Sequence, residues 1–161
     1  MAYERLLDEC RDYGDIFDLV KRAVRETLGR ERAGLMLYLG NLPLNVGAFY
    51  PLGSNVIVLN RRVLELVSRS ARSITEVNSF LFTILLHEYL HSLGYVDEGK
   101  VRRLVYEISV ELFGPDHPAV RMALNPPLPR VSPSEARFGA PVDPELELVK
   151  DFERSNQSYI A

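Results

Sequence analysis

The chain has 161 residues, of which 47% are hydrophobic and 25% charged, and carries a net charge of −3. That length suits one domain with an interior large enough to fold without disulfides, and the weakly acidic balance excludes a general attraction to nucleic acid or to anionic membrane surfaces. Cys10 is the single cysteine, so no intrachain disulfide is expected and a reducing, cytoplasmic setting is predicted.

Met1-Ala2-Tyr3-Glu4-Arg5 leads into an amphipathic pattern rather than an apolar leader, so no signal peptide is expected. Leu6, Leu7, Cys10, Ile16, Phe17, Val20, Val24 and Leu28 recur at helical spacing. They predict one long helix over 3–28, or two broken near Gly14, ended by Gly29. From Gly34 the period changes. Leu35 to Leu39, Val46 to Tyr50 and Asn55 to Leu59 are short apolar runs separated by glycine and proline, and they predict a small sheet. Asn60 is the expected cap of a helix running to about Ser70, and Ser73-Ile74-Thr75-Glu76 has the capping-box form that starts another.

This second helix carries the chemistry. Phe80 to Leu86 are seven residues without a charge, followed directly by His87-Glu88-Tyr89-Leu90-His91. The run stops at His87, too short to cross a bilayer. Residues four apart lie side by side on a helix, so His87 and His91 can ligate one metal ion. Imidazole pairs suit Zn²⁺, which can still activate a water for attack. Glu88, about 100° around the helix from His87, flanks the ion and suits a general base. Two histidines and a glutamate on an otherwise apolar helix would be costly without such a partner.

These five residues resemble the zincin metallopeptidase signature. Gly94 and Asp97 extend it to His-Glu-x-x-His-x-x-Gly-x-x-Asp, which is similar to the metzincin pattern with aspartate in place of the third histidine. The resemblance implies a zincin-like α+β fold, a small mixed sheet packed on the active-site helix, and hydrolysis of a peptide or protein substrate. In such folds an edge strand beside the cleft pairs with the substrate, a part open to residues 46–50.

The third ligand stays open. Asp97 keeps the metzincin spacing but is also the natural N-cap of a helix expected over Glu98 to Phe113. His117 lies between Pro115 and Pro118 in a restrained loop and would bring every histidine onto the metal. Glu98 and Glu111 stand behind these two. Tyr95 is a weak oxyanion donor better read as packing, and Met122 is better read as core than as a Met-turn.

After Leu124 prolines dominate. The domain is therefore placed at 1–124, with an extended tail over 125–161 that ends in a short helix over 143–152 and contains the sequon Asn156-Gln157-Ser158. The expected protein is thus a zinc metallopeptidase with His87, His91 and Asp97 or His117 as ligands and Glu88 as base. A zinc hydrolase of a non-peptide substrate such as RNA is the alternative. So is a non-catalytic zinc-stabilised interaction module, which would close the site with a fourth ligand.

Overall fold

The computed structural model describes residues 2–128 and 146–153. It is a mixed α+β arrangement in which six helices surround one four-stranded sheet among the described residues. Helix α1 (Ala2–Asp8) is separated from α2 (Tyr13–Leu28) by a break at 9–12, slightly before the expected break near Gly14. Asp12 decides the position: it is extended at φ −148° and its side chain accepts from Asp15 N, so the second helix starts there and Gly14 lies inside it. Gly29 ends α2 in the left-handed region at φ 68°, as its position predicts.

Strand β1 (Met36–Gly40) and strand β3 (Val56–Asn60) pair in parallel, with Tyr38 opposite Val58. Strand β2 (Ala48–Phe49) lies antiparallel to β3 on its other side and is an edge of the sheet. The opposite edge is strand β4 (Glu147–Leu148), antiparallel to β1.

The described part of 143–152 is thus a strand followed by a turn, not the expected helix. Leu, Glu and Lys favour helix locally, but the backbone groups of β1 offer this segment a ladder partner, and tertiary pairing prevails over propensity. The segment is anchored further on. Phe152 is buried and stacks on Phe17 with ring centroids 4.2 Å apart, and Glu153 pairs with Lys21. Residues 129–145 of the Pro-rich segment and the sequon at 156–158 lie outside the described residues.

Helix α3 (Arg61–Ser70) follows β3 directly, with Asn60 as its cap. Helix α4 (Ile74–Ser92) runs through the middle of the core, touching α1, α2, α3, α5 and α6 as well as β2. Its Phe80, Phe82, Leu85, Leu86, Tyr89 and Leu90 are buried around the helix, which explains why it reads as apolar on all sides. Tyr89 meets Phe17 edge to face at 5.4 Å, and Phe82 meets Phe113 at 5.1 Å. Helices α5 (Glu98–Phe113) and α6 (Pro118–Leu124) pack on α4 and on each other. No helix among the described residues is long and apolar enough to cross a membrane.

Candidate metal centre

The last two turns of α4 carry His87, Glu88 and His91, and the way the helix ends determines where the third partner comes from. Ser73 starts α4 by accepting from Glu76 N, while the Glu76 carboxylate accepts from Arg72 N. At the other end Gly94 adopts φ 104°, a left-handed conformation that glycine alone takes at no steric cost. The chain then turns back and Tyr95 N donates to Leu90 O. Two arginines hold this terminus: Arg32 donates to Ser92 O at 2.7 Å and Arg30 to Leu93 O at 2.7 Å. Cations placed on the last carbonyls of a helix are favourable.

The turn delivers Glu98, the first residue of α5, to the histidines. Glu98 Oε1 lies 2.9 Å from His87 Nε2 and in closer contact with His91 Nε2. The ligand atoms of these three residues all fall within 4.8 Å of one another, so the cluster can hold a metal ion. The contacts of His91 say what kind of partner fits. Its Nδ1–H donates to Tyr95 O at 2.7 Å, so in the neutral ring Nε2 bears a lone pair, and that lone pair faces a carboxylate oxygen. Burial lowers the His87 pKa, although Glu98 opposes this. Glu98, an acceptor when ionised, faces a ring nitrogen of each histidine, so each contact needs either an N–H or a shared cation between its atoms. A proton serves one contact, whereas a divalent cation serves both.

Glu88 lies beside the cluster and is buried. Burial pushes its carboxyl up to about 7, with His91 opposing and Glu98 adding to the rise. For Glu98 burial also acts upward, but the contacts with His87 and His91 prevail and its carboxyl sits below the usual range.

Of the residues expected from the sequence, the structure brings His87, His91 and Glu88 together. Asp97 and His117 are elsewhere engaged. The Asp97 side chain accepts from Lys100 N at 3.0 Å as the N-cap of α5. His117 caps α6 through Nδ1, which accepts from Ala119 N at 3.1 Å, and its ring stacks on Phe113 at 4.5 Å. Glu111 is exposed on α5 and Tyr95 serves through its carbonyl, its ring lying between Arg30 and Lys100. Met122 lines the cleft and packs on the core. Glu98, one of the lesser candidates beside Glu111, takes the place expected of Asp97 or His117: with Asp97 committed to the helix backbone, the next acidic residue faces the histidines.

A groove passes over the cluster. One lobe, of about 440 Å³, extends from His87 and Glu88 along α4 between residues 45–48, α5 and α6. A second, of about 320 Å³, opens past His91 between Phe49, Leu52 and Val96. Strand β2 borders both through Ala48, and its outer edge pairs with no strand among the described residues. The wall at 42–47 is held by Asn60, fully buried, whose amide donates to Leu42 O, Pro43 O and Val46 O while its carbonyl accepts from Leu42 N and Arg62 N. Compared with protein-family models, with curated proteins and with solved structures, the chain matches none.

Proposed function

We propose that this protein is a zinc-dependent hydrolase of peptide bonds with a zincin-like domain, in which His87, His91 and Glu98 hold the metal and Glu88 is the general base. The observation that carries the reading is the convergence of two imidazole nitrogens and one carboxylate oxygen beside a buried carboxyl raised to about 7. A nitrogen-rich donor set with one carboxylate suits zinc, and three protein ligands leave room for a water or a substrate. A bound divalent ion of this kind lowers the pKa of water and polarises a carbonyl oxygen.

The chain's own residues supply the rest. Tyr95 O fixes the His91 tautomer, and Arg30 and Arg32 hold the helix end from which that carbonyl follows. Glu88, near neutrality in its pKa, takes a proton from the attacking water as the C–O bond forms. It returns that proton to the amine as the C–N bond breaks. The groove and the edge of β2, which pairs with no further strand among the described residues, suit an extended peptide, whose backbone can add a strand there. Cys10, buried and without a disulfide, is consistent with a reducing cytoplasmic setting.

The test is metal content and hydrolysis of an unfolded protein, measured for wild type and for Glu88→Gln. Stoichiometric zinc in both, with hydrolysis in wild type alone, is the expected result. Zinc in both without hydrolysis in either defeats the enzyme and favours a structural metal.

A further inference from the structure

The two lobes of the groove differ in how they end. Beyond Met122 the chain leaves α6 and crosses toward residues 45–47, where Leu128 comes within 3.3 Å of the position a Cβ on Gly47 would occupy. The larger lobe is therefore walled on one side by this protein's own residues 122–128, with Leu128 and Ile84 meeting at Gly47. The smaller lobe has no such wall among the described residues and opens between side chains that are themselves exposed, Phe49, Leu52 and Val96. A groove closed on one side and open on the other suits a chain end on the closed side.

The chemistry of the closed lobe says which end. Val46, Phe80, Ile84, Val105, Met122 and Leu128 give it an apolar lining. Its described acidic residues are Glu88 and Glu98, both assigned to the reaction, so no carboxylate remains for an amino terminus. Arg102 is the one cation in its described lining. It stands four residues after Glu98 on the same face of α5 and lines the lobe beside the cluster. Its ion pair with Glu98, at 4.0 Å, is at the outer limit of such contacts, and the Arg102 side chain is 73% exposed, which leaves its fork of donors available.

We infer that the site removes the last residue of a peptide: Arg102 holds the terminal carboxylate and the closed lobe holds an apolar terminal side chain. One residue spans about 3.5 Å of extended chain, which places a terminal carboxylate within reach of a long arginine when the preceding carbonyl is at the cluster. Water adds across the last peptide bond, giving a new carboxylic acid on the shortened peptide and a free amino acid with an apolar side chain. This inference rests on the hydrolytic reading above.

The experiment uses the full-length, zinc-loaded protein and one pair of peptides ending in leucine, identical except that one is the free acid and the other the C-terminal amide. Products are identified by mass. The expected result is release of leucine from the acid with kcat/KM about 10- to 100-fold above any cleavage of the amide, the range for a hydrogen bond to a charged group. In Arg102→Met the acid-to-amide ratio falls to about one while bound zinc is unchanged. Titrated calorimetrically into Glu88→Gln, the acid binds more tightly than the amide, and Arg102→Met added to that variant removes the difference. Internal cleavage of both peptides at equal rates overturns the inference and leaves the hydrolytic reading standing. Loss of zinc in Arg102→Met also overturns it, because Arg102 then positions Glu98 instead. No cleavage of either peptide or of an unfolded protein, with wild type indistinguishable from Glu88→Gln, removes the hydrolytic reading and this inference together.

Discussion

The turn at 94–98 and the turn at 114–118 are built alike and serve differently. Each follows a helix, contains a glycine at positive φ, and begins the next helix with a polar residue as cap: Asp97 for α5 and His117 for α6. At the first turn the cap takes up the backbone N–H groups and the residue behind it, Glu98, is free to face the histidines. At the second, the residue behind the cap is Pro118, and the His117 ring is occupied by Ala119 N and by Phe113. A polar side chain at a helix start is thus drawn first to the orphan donors of that helix, and it is the neighbour the cap leaves over that can face the histidines.

Mutagenesis can break that comparison. The largest effect is expected from Glu98→Ala, which removes a proposed donor and should weaken zinc binding by more than about a hundredfold, beyond what outer-shell partners typically cost; competition with a chelator reads it. Equal zinc affinity in Glu98→Ala and wild type would show that this turn supplies no ligand. A third cap, Asn60, extends the series to a buried position. Asn60→Ala removes the amide's hydrogen bonds to Val46 O, Pro43 O and Leu42 O, the last two of which keep Val46 N and Arg62 as donors, and is expected to cost about 3 kcal/mol in urea unfolding. A cost under about 1 kcal/mol would mean that the 42–47 wall does not depend on it.

His117→Ala removes a cap and an aromatic contact and is expected to cost about 1–2 kcal/mol without loss of zinc. This cap also titrates, because it works through an unprotonated Nδ1. Burial lowers the His117 pKa, with Glu4 and Asp8 opposing, so the folded state binds the proton more weakly than the unfolded chain does. Its contribution is therefore full above the ordinary histidine range near 6.5 and declines as pH falls through the lowered folded-state value. The difference in Tm between wild type and His117→Asn should shift against wild type from pH 7.5 to pH 5; a difference that stays constant refutes the titrating cap. The smallest effect is expected from Asp97→Ala, about 1 kcal/mol for an exposed cap and little change in zinc affinity. Strong zinc loss there would restore Asp97 as a ligand.

Much of this architecture is legible in the residues themselves. Ser73, Asn60 and Asp97 each cap the helix their type and position announce, and Gly29 and Gly94 end theirs at positive φ. The parallel pairing of β1 with β3 and the arrival of β4 from residues 147–148 were not legible, because strand partners are chosen by backbone groups far away in sequence. The same holds for α6. Its seven residues are too short for a periodic signal, and its cap was read as a metal ligand.

The sequence by itself determined the facing pair His87 and His91, the flanking Glu88 and the turn at Gly94, since helical periodicity and glycine's conformational freedom are local properties. Only the tertiary structure decided that Glu98 meets the pair, that Asn60 holds a wall of the groove and that Arg102 lines its closed lobe. Those depend on where α5 and the loop at 42–47 lie against α4, and that packing is settled by the whole core rather than by any short stretch of chain.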